Sequence, residues 1–413
     1  MVAGTGSAGT AAVAQRPATN AGNADYDVVL DWYDVTARTV SAAALPTQVT
    51  NSRIWAVSWL AAERALAARP ASRSRAFTTA AFITAAVATA VHDSLVALVP
   101  ARTADLDAAL AATLGQVPDG KGKTAGAGAG QRSARKLLAE RAGDGLDVAS
   151  VNVPYTPPPE APGVWRPTPP AYASAVQSGQ GRGRTFLLGR ADRFRPGPPA
   201  PLGSPQYRSD LAEIRAVGAV DSTVRTREQS DVANFWAQTS LAGYTSILRG
   251  LLTQTGGRPP AWRVGLVATF HEVTIDAQIA VYEAKYIYVR WRPVTAIRVA
   301  DTDGDPTTAP DPAWTPLITT PAHPEYPSGH TTYAGAAQRV LEAFTGTGPQ
   351  QPISVTSTTA PGVSRTYTSW RQATDDNVNA RVWSGIHFRS TDVIGAELGR
   401  KAASYDLHRL GLG

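Results

Sequence analysis

Two histidines, a serine and a glycine fall within eight residues in the stretch His323-Pro324-Glu325-Tyr326-Pro327-Ser328-Gly329-His330. The segment that follows, Thr331 to Phe344, has the apolar spacing of a helix. The N-terminus of a helix presents unpaired backbone N–H groups and the positive end of the helix dipole, a setting that favours an anion. Ser328 can add a hydroxyl donor, Gly329 a backbone N–H, and His330 an imidazole able to move a proton near neutral pH. The same tetrapeptide also suits an ordinary turn that caps a helix and leaves its histidine exposed.

Two other stretches carry groups that complement such a site. Lys285 and Arg292 are seven residues apart near the end of a long helical pattern, about Ala261 to Trp291, which Pro293 is expected to end. Two helical turns would aim both cations from nearly the same face. An arginine can grip an oxyanion bidentately and a lysine can act as a point charge. With Arg290 and Arg298 nearby, the pair would serve equally as a solvated basic face. Further on, Arg381-Val382-Trp383-Ser384-Gly385-Ile386-His387 adds one more cation and one more imidazole at a fixed offset. Alone, these are as consistent with a helix-end arginine and a core histidine.

In order, the three stretches read Lys-x6-Arg-Pro, Pro-Ser-Gly-His and Arg-x5-His. This resembles the signature shared by vanadium-dependent haloperoxidases and phosphatidic-acid-phosphatase type 2 enzymes, which include soluble acid phosphatases. A wider similarity to the bacterial vanadium haloperoxidase-like branch takes in Pro118-Asp119-Gly120, Trp165-Arg166-Pro167-Thr168-Pro169-Pro170, Phe194-Arg195-Pro196-Gly197-Pro198-Pro199 and His323 to His330. The resemblance implies that Lys285, Arg292, Ser328, the Gly329 amide and Arg381 hold the oxygens of vanadate, or of phosphate in the same site. It implies that His387 is the imidazole bonded to vanadium, or the nucleophile towards phosphorus, and that His330 is the acid/base on the opposite side. His323 resembles a second histidine of the bromoperoxidases, where chloroperoxidases carry an aromatic residue, and so leans towards bromide or iodide.

In the haloperoxidase reading, hydrogen peroxide, halide and a small organic acceptor are the partners, with Lys285 polarising the oxidant and His330 moving its proton. The alternatives are a soluble acid phosphatase working through a phosphohistidine at His387, and a non-catalytic oxyanion binder. Two positions depart from the family pattern. Ala380 stands where a serine often precedes the arginine. The expected carboxylate four residues after the last histidine is instead Asp392, five after His387, which leaves the orientation of His387 to another acceptor such as a backbone carbonyl.

The elements that must position these groups are helical: the chain reads as all-α, a mainly helical bundle fold with a long Pro-rich irregular connection. Residues 1–24 read as a disordered Gly/Ala/Ser/Thr-rich lead, 25–153 as an N-terminal helical half, 154–205 as a Pro-rich ordered wrap, and 206–413 as the C-terminal half with the oxyanion site. Helices are expected at about Asp25–Ala44, Asn51–Ala68, Ala76–Leu98, Thr103–Leu114 with Thr103 as N-cap, Lys123–Arg141, Pro205–Val217, Thr226–Thr255, Asp375–Val382 and Asp392–Leu410. Val355 to Thr368 reads as loop or hairpin. In the wrap, runs such as Pro157-Pro158-Pro159 exclude long helices, and Trp165, Tyr172, Phe186 and Phe194 are expected to anchor it. His92 and Asp93 read as a satisfied core pair. The alternating aspartates of Asp301 to Asp305 read as a solvated turn, because the remaining ligands of a calcium loop are missing.

Of 413 residues, 43% are hydrophobic and 17% charged, a composition that supports a buried core. The net charge of +6 comes from scattered Lys and Arg without a basic block, which favours small anions over nucleic acid. With no cysteine, disulfides and thiolate chemistry are excluded. The most apolar stretch, 76–100, is interrupted by His92-Asp93-Ser94 and reads as a buried helix rather than a membrane span. Compartment, secreted or cytoplasmic, and oligomeric state, a homo-oligomer included, stay open.

Overall fold

The computed structural model describes residues 26–70 and 78–413. The lead at 1–24 and the expected helix start at Ala76 lie outside them. The first half holds α1 (Val28–Ala43), α2 (Gln48–Ala67), α3 (Thr79–Leu98), α4 (Thr103–Gly115), α5 (Lys121–Glu140) and the single turn α6 (Val148–Val151). Asp27 caps α1 by accepting from the Leu30 N–H at 3.1 Å. Thr103 does not cap α4. A 3-10 turn at Pro100–Arg102 runs straight into the helix, Arg102 takes the cap position, and the Thr103 hydroxyl donates to the Pro100 carbonyl. Gly122, Gly126 and Gly130 of α5 have a packing reason: a Cβ on Gly126, for example, would sit 2.4 Å from the Phe82 carbonyl oxygen of α3. Their intrinsic helix cost of about 1 kcal/mol each is offset by that close approach. His92 lies between Asp93 and Asp107, at 2.8 and 2.9 Å, so the expected polar pair is a satisfied set of three.

The second half holds α7 (Pro205–Val217), α8 (Arg227–Phe235), α9 (Ser240–Gln254), α10 (Pro260–Tyr288), α11 (Pro293–Arg298), α12 (Gly329–Thr345), an antiparallel hairpin of β1 (Ile353–Ser357) and β2 (Ala360–Tyr367), α13 (Trp370–Trp383) and α14 (Arg389–Arg409). Two corrections bear on the site. The helix expected over Thr226–Thr255 is broken. Thr226 opens α8 with a capping box, but Thr239 caps a new helix by accepting from the Ala242 N–H, leaving Trp236 to Gln238 in a tight link. The helix expected to reach Trp291 stops at Tyr288, where Val289 takes a left-handed φ of 47°. Arg292 is therefore the N-cap of α11 and Pro293 that helix's first residue, so Lys285 and Arg292 do not share a helix face.

The Pro-rich segment is irregular apart from a 3-10 turn at Gln180–Arg182, and it is tied to α10. Trp165 is buried, and its backbone N–H donates to the Val289 carbonyl at 2.7 Å. The amides of Phe186, Leu187 and Leu188 converge on the Asp276 carboxylate at 2.7–2.8 Å. Phe194 packs edge-on to Tyr405 of α14. Tyr172 is not an anchor: it is 61% exposed. The aspartate turn closes on itself, with Asp303 and Asp305 accepting from Thr307, Thr308 and Arg208. Among the described residues no group of three His or acidic side chains is arranged to hold a metal ion.

α10 runs through the middle of the protein, its side chains buried almost throughout, and one apolar cluster joins it to α1, α2, α3, α9 and α12. α3 and α10 are long and apolar enough to cross a membrane by length and composition, but most of each is buried inside the fold. α12 and α14 touch backbone to backbone. A Cβ on Gly335 would lie 2.0 Å from the Ala396 carbonyl oxygen, and one on Gly399 2.0 Å from that of Thr332. This contact holds the start of α12 against the start of α14.

Candidate functional site

Chain ends of five helices meet at one point. Lys285 comes from the last turn of α10, Arg292 from the cap of α11, and Arg381 from the last turn of α13. Ser328 is the N-cap of α12, and Gly329 and His330 are its first residues. His387 stands in the link from α13 to α14. That link turns at Gly385, which has a φ of 80° and where a Cβ would lie 2.4 Å from the Gly218 carbonyl oxygen, leaving no room for a side chain. All eight residues expected from the sequence are brought together, His323 among them. Lys285, Arg292, Ser328, Arg381 and His387 are all at most 2% exposed, while Gly329 and His330 are half-buried and form the accessible edge.

Hydrogen bonds fix most of the cage. The Lys285 ammonium donates to the Pro324 and Glu325 carbonyls at 3.0 and 2.9 Å. Arg292 donates from Nε to the His323 carbonyl, from NH1 to the Ile386 carbonyl and to His387 Nε2 at 3.1 Å, and from NH2 to His323 Nδ1 at 3.0 Å. Arg381 donates from NH1 to the Trp236 carbonyl at 2.7 Å, but its Nε has no partner. Ser328 Oγ is fully buried without a well-formed hydrogen bond, although the Asp392 carboxyl sits beside it. Buried polar atoms are nearly always paired, so an orphaned hydroxyl and an orphaned guanidinium N–H among cations mark a place suited to a ligand's acceptor atoms.

The tautomers of two histidines follow from their partners. A guanidinium only donates, so His387 Nε2 is an acceptor and its proton is on Nδ1, which donates to Glu325 Oε1 at 2.9 Å. A carbonyl only accepts, so His330 Nε2 carries the proton given to the Gln238 carbonyl at 3.1 Å, and Nδ1 keeps the lone pair. His323 faces Arg292 and, at 3.2 Å, the Tyr282 hydroxyl. Burial, then the neighbouring Arg292 or Arg381, holds all three imidazoles well below the usual histidine range, so they are neutral at neutral pH. Burial also lowers Lys285 well below the lysine range, with Arg292 next in importance, and lowers Arg292 to about 10. Asp392 is pushed well up by burial, and Glu325 up to about 7 by burial against the pull of Arg292 and Lys285. Crowded cations beside a carboxyl whose ionisation burial disfavours gain from an oxyanion, which both screens their repulsion and accepts their hydrogen bonds.

Reasoning from sequence missed Glu325 and the Trp236–Gln238 link. Glu325 Oε1 also accepts from the Phe388 N–H at 3.1 Å, and Oε2 from the Thr391 hydroxyl at 3.1 Å. The partner of His387 is thus a carboxylate from the loop before α12, not a backbone carbonyl, and Asp392 turns to Ser328 instead. An acid between two histidines in the opening motif was the available signal. The link was hidden because two backbone carbonyls, not side chains, make its contacts.

The protein is a helical bundle with a buried cationic cage at converging helix ends. Residues 265–410, which contain every cage side chain, match the family model of the VCPO second helical-bundle domain. Among solved structures, the chain is similar to the first bacterial vanadium-dependent iodoperoxidase, with a TM-score of 0.77 and 22% identity, covering 93% of this chain and 97% of that one. It is similar to the apo-type bacterial vanadium-dependent chloroperoxidase at 0.70 and 19%, covering 89% and 94%, and to the holo-type at 0.68 and 19%, covering 95% and 96%. No curated protein matches by sequence. The chain therefore shares the fold of these solved vanadium-dependent peroxidases, and residues 265–410 match the VCPO second helical-bundle domain.

Proposed function

We propose that the chain is a vanadium-dependent haloperoxidase that uses hydrogen peroxide to oxidise halide, bromide or iodide rather than chloride, to a hypohalous species that halogenates a small organic acceptor. The observation that carries this reading is the cage, in which a neutral imidazole with a lone pair on Nε2 stands among three buried cations and an unpaired hydroxyl. These residues fit vanadate. Lys285, Arg292, Ser328, the Gly329 amide and Arg381 would hold its oxygens, and His387 Nε2 would be its ligand. When bound, vanadate supplies a Lewis acid that activates peroxide at a constant oxidation state.

The side chains do the rest. Glu325 keeps the His387 proton on Nδ1 and so leaves Nε2 free to coordinate. Arg292 NH1 donates to that nitrogen in the ligand-free cage and would donate to the oxyanion when Nε2 is taken. The Gln238 carbonyl holds the Nε2 proton of His330, so Nδ1 takes a proton from the incoming peroxide and returns it to the departing water. The depressed basicity of His330 keeps Nδ1 unprotonated until then. His323, bonded to Arg292 and Tyr282, supports the bromide or iodide preference through the bromoperoxidase resemblance at that position.

A phosphatase reading has one specific support: the Nε2 lone pair of His387 among oxyanion-binding donors is equally suited to attack a phosphate monoester. His330 would then protonate the leaving oxygen and afterwards activate water. The test is to assay vanadate-reconstituted protein with peroxide, bromide or iodide and a phenol-type acceptor, beside a phosphate-ester assay without vanadate. Halogenation that depends on vanadate supports the proposal. Ester hydrolysis without halogenation replaces it with the phosphatase reading, and neither activity leaves an oxyanion binder.

A further inference from the structure

We infer that Glu325 is the positioning residue of the site: its carboxylate holds His387 in the Nδ1–H tautomer and binds the three motifs into one rigid cage. The inference rests on the vanadate reading for its consequence but not for its geometry. Glu325 is 0% exposed, and each of its polar groups is used on a different segment. Its N–H donates to the Arg290 carbonyl at 2.9 Å, two residues before Arg292. Its carbonyl accepts from the Lys285 ammonium at 2.9 Å. Its carboxylate accepts from His387 Nδ1, the Phe388 N–H and the Thr391 hydroxyl, all at the start of α14. One residue thus joins the end of α10, the link between α10 and α11, the loop before α12 and the link into α14.

The carboxylate matters to chemistry through the far side of the ring. A neutral imidazole has one lone pair, and an acceptor at Nδ1 fixes it on Nε2. A charged acceptor also makes Nε2 a better ligand, and losing such a partner typically costs about 10–100-fold in affinity for the bound group. Asp392 cannot perform this role: it stands beside Ser328, and His387 Nδ1 is already taken. The Glu325 carboxylate bonds to neither Nε2 nor an oxyanion donor, only to His387 Nδ1, the Phe388 N–H and the Thr391 hydroxyl, so its effect passes through His387.

The experiment compares wild type, Glu325→Gln, Glu325→Leu and Asp392→Asn at about pH 8, a pH at which an ordinary carboxyl is ionised. Nitrogen-15 NMR of the imidazoles in metal-free protein reads the His387 tautomer, and equilibrium dialysis reads vanadate and inorganic phosphate affinity. Wild type and Asp392→Asn should show the proton on Nδ1. Glu325→Leu should lose that preference and bind vanadate at least tenfold more weakly. Glu325→Gln keeps an acceptor but not the charge, so the tautomer should persist while the His387 nitrogen shifts move and affinity falls several-fold. A Glu325→Gln protein with wild-type shifts and wild-type affinity overturns the inference, as does an Asp392→Asn protein that loses the tautomer. If wild type shows the Nδ1–H tautomer but binds neither oxyanion, the inference stands and the proposed function fails.

Discussion

Replacing Ser328 by alanine separates a binding group from a structural one by the sign of its effects. The hydroxyl is fully buried and makes no well-formed hydrogen bond, so in the ligand-free protein it is a desolvated donor with little return. Removing such a group takes away a penalty that ordinarily reaches about 1–3 kcal/mol, and the adjacent Asp392 carboxyl reduces the gain. Ligand-free Ser328→Ala should therefore unfold in urea with a stability equal to wild type or up to about 1 kcal/mol greater. With an oxyanion bound, the same hydroxyl would donate a hydrogen bond to a charged acceptor, worth about 1.5–3 kcal/mol. Loss of that bond weakens vanadate binding roughly 10- to 150-fold. Urea titration of the ligand-free variant and equilibrium dialysis with vanadate measure the two effects on one preparation. A variant that is clearly less stable, yet binds vanadate as wild type does, would make Ser328 a structural cap and refute the reasoning.

Three further outcomes are expected. His330→Ala should keep vanadate binding by dialysis while halogenation falls at least about 100-fold, the usual scale of a lost acid/base; unchanged turnover removes that role. His387→Ala should lower vanadate affinity more than tenfold, and undiminished binding by dialysis defeats its assignment as the ligand. Glu272, far from the cage on α10, is raised from 4.5 to about 8 by burial first and by Glu63 and Asp276 next. A carboxyl whose folded value is raised binds more protons in the native state, so its stabilising effect is present below 4.5 and is lost as pH rises through about 8. Glu272→Gln should therefore stabilise the protein more at pH 9 than at pH 5, read from urea midpoints; an equal effect at both would mean that Glu272 does not titrate in this window.

Much of this protein was legible because its information is local. Helices follow from apolar periodicity and breakers, and α7 has the expected ends, Pro205 and Val217. The cage side chains could be named because their chemistry lies in residue type and order, from Lys285 and Arg292 through Ser328 to Arg381 and His387. What the sequence leaves undecided is how those groups are held. The breaks after Phe235 and Tyr288 fall in stretches whose composition suits a continuous helix, and they are stabilised by tertiary contacts. The Trp236 and Gln238 carbonyls reach Arg381 and His330 across 145 and 92 residues of sequence.

The opening motif determined by itself that a serine, a glycine and a histidine would stand at the head of a helix. Only the tertiary structure decided that the acid inside that motif orients His387, 62 residues away, and that Asp392 does not. A side chain's type is written in the chain, but its partner is set by which segments the packed helices bring together. For a buried imidazole, that partner fixes which nitrogen holds the proton and so which one is left to bind.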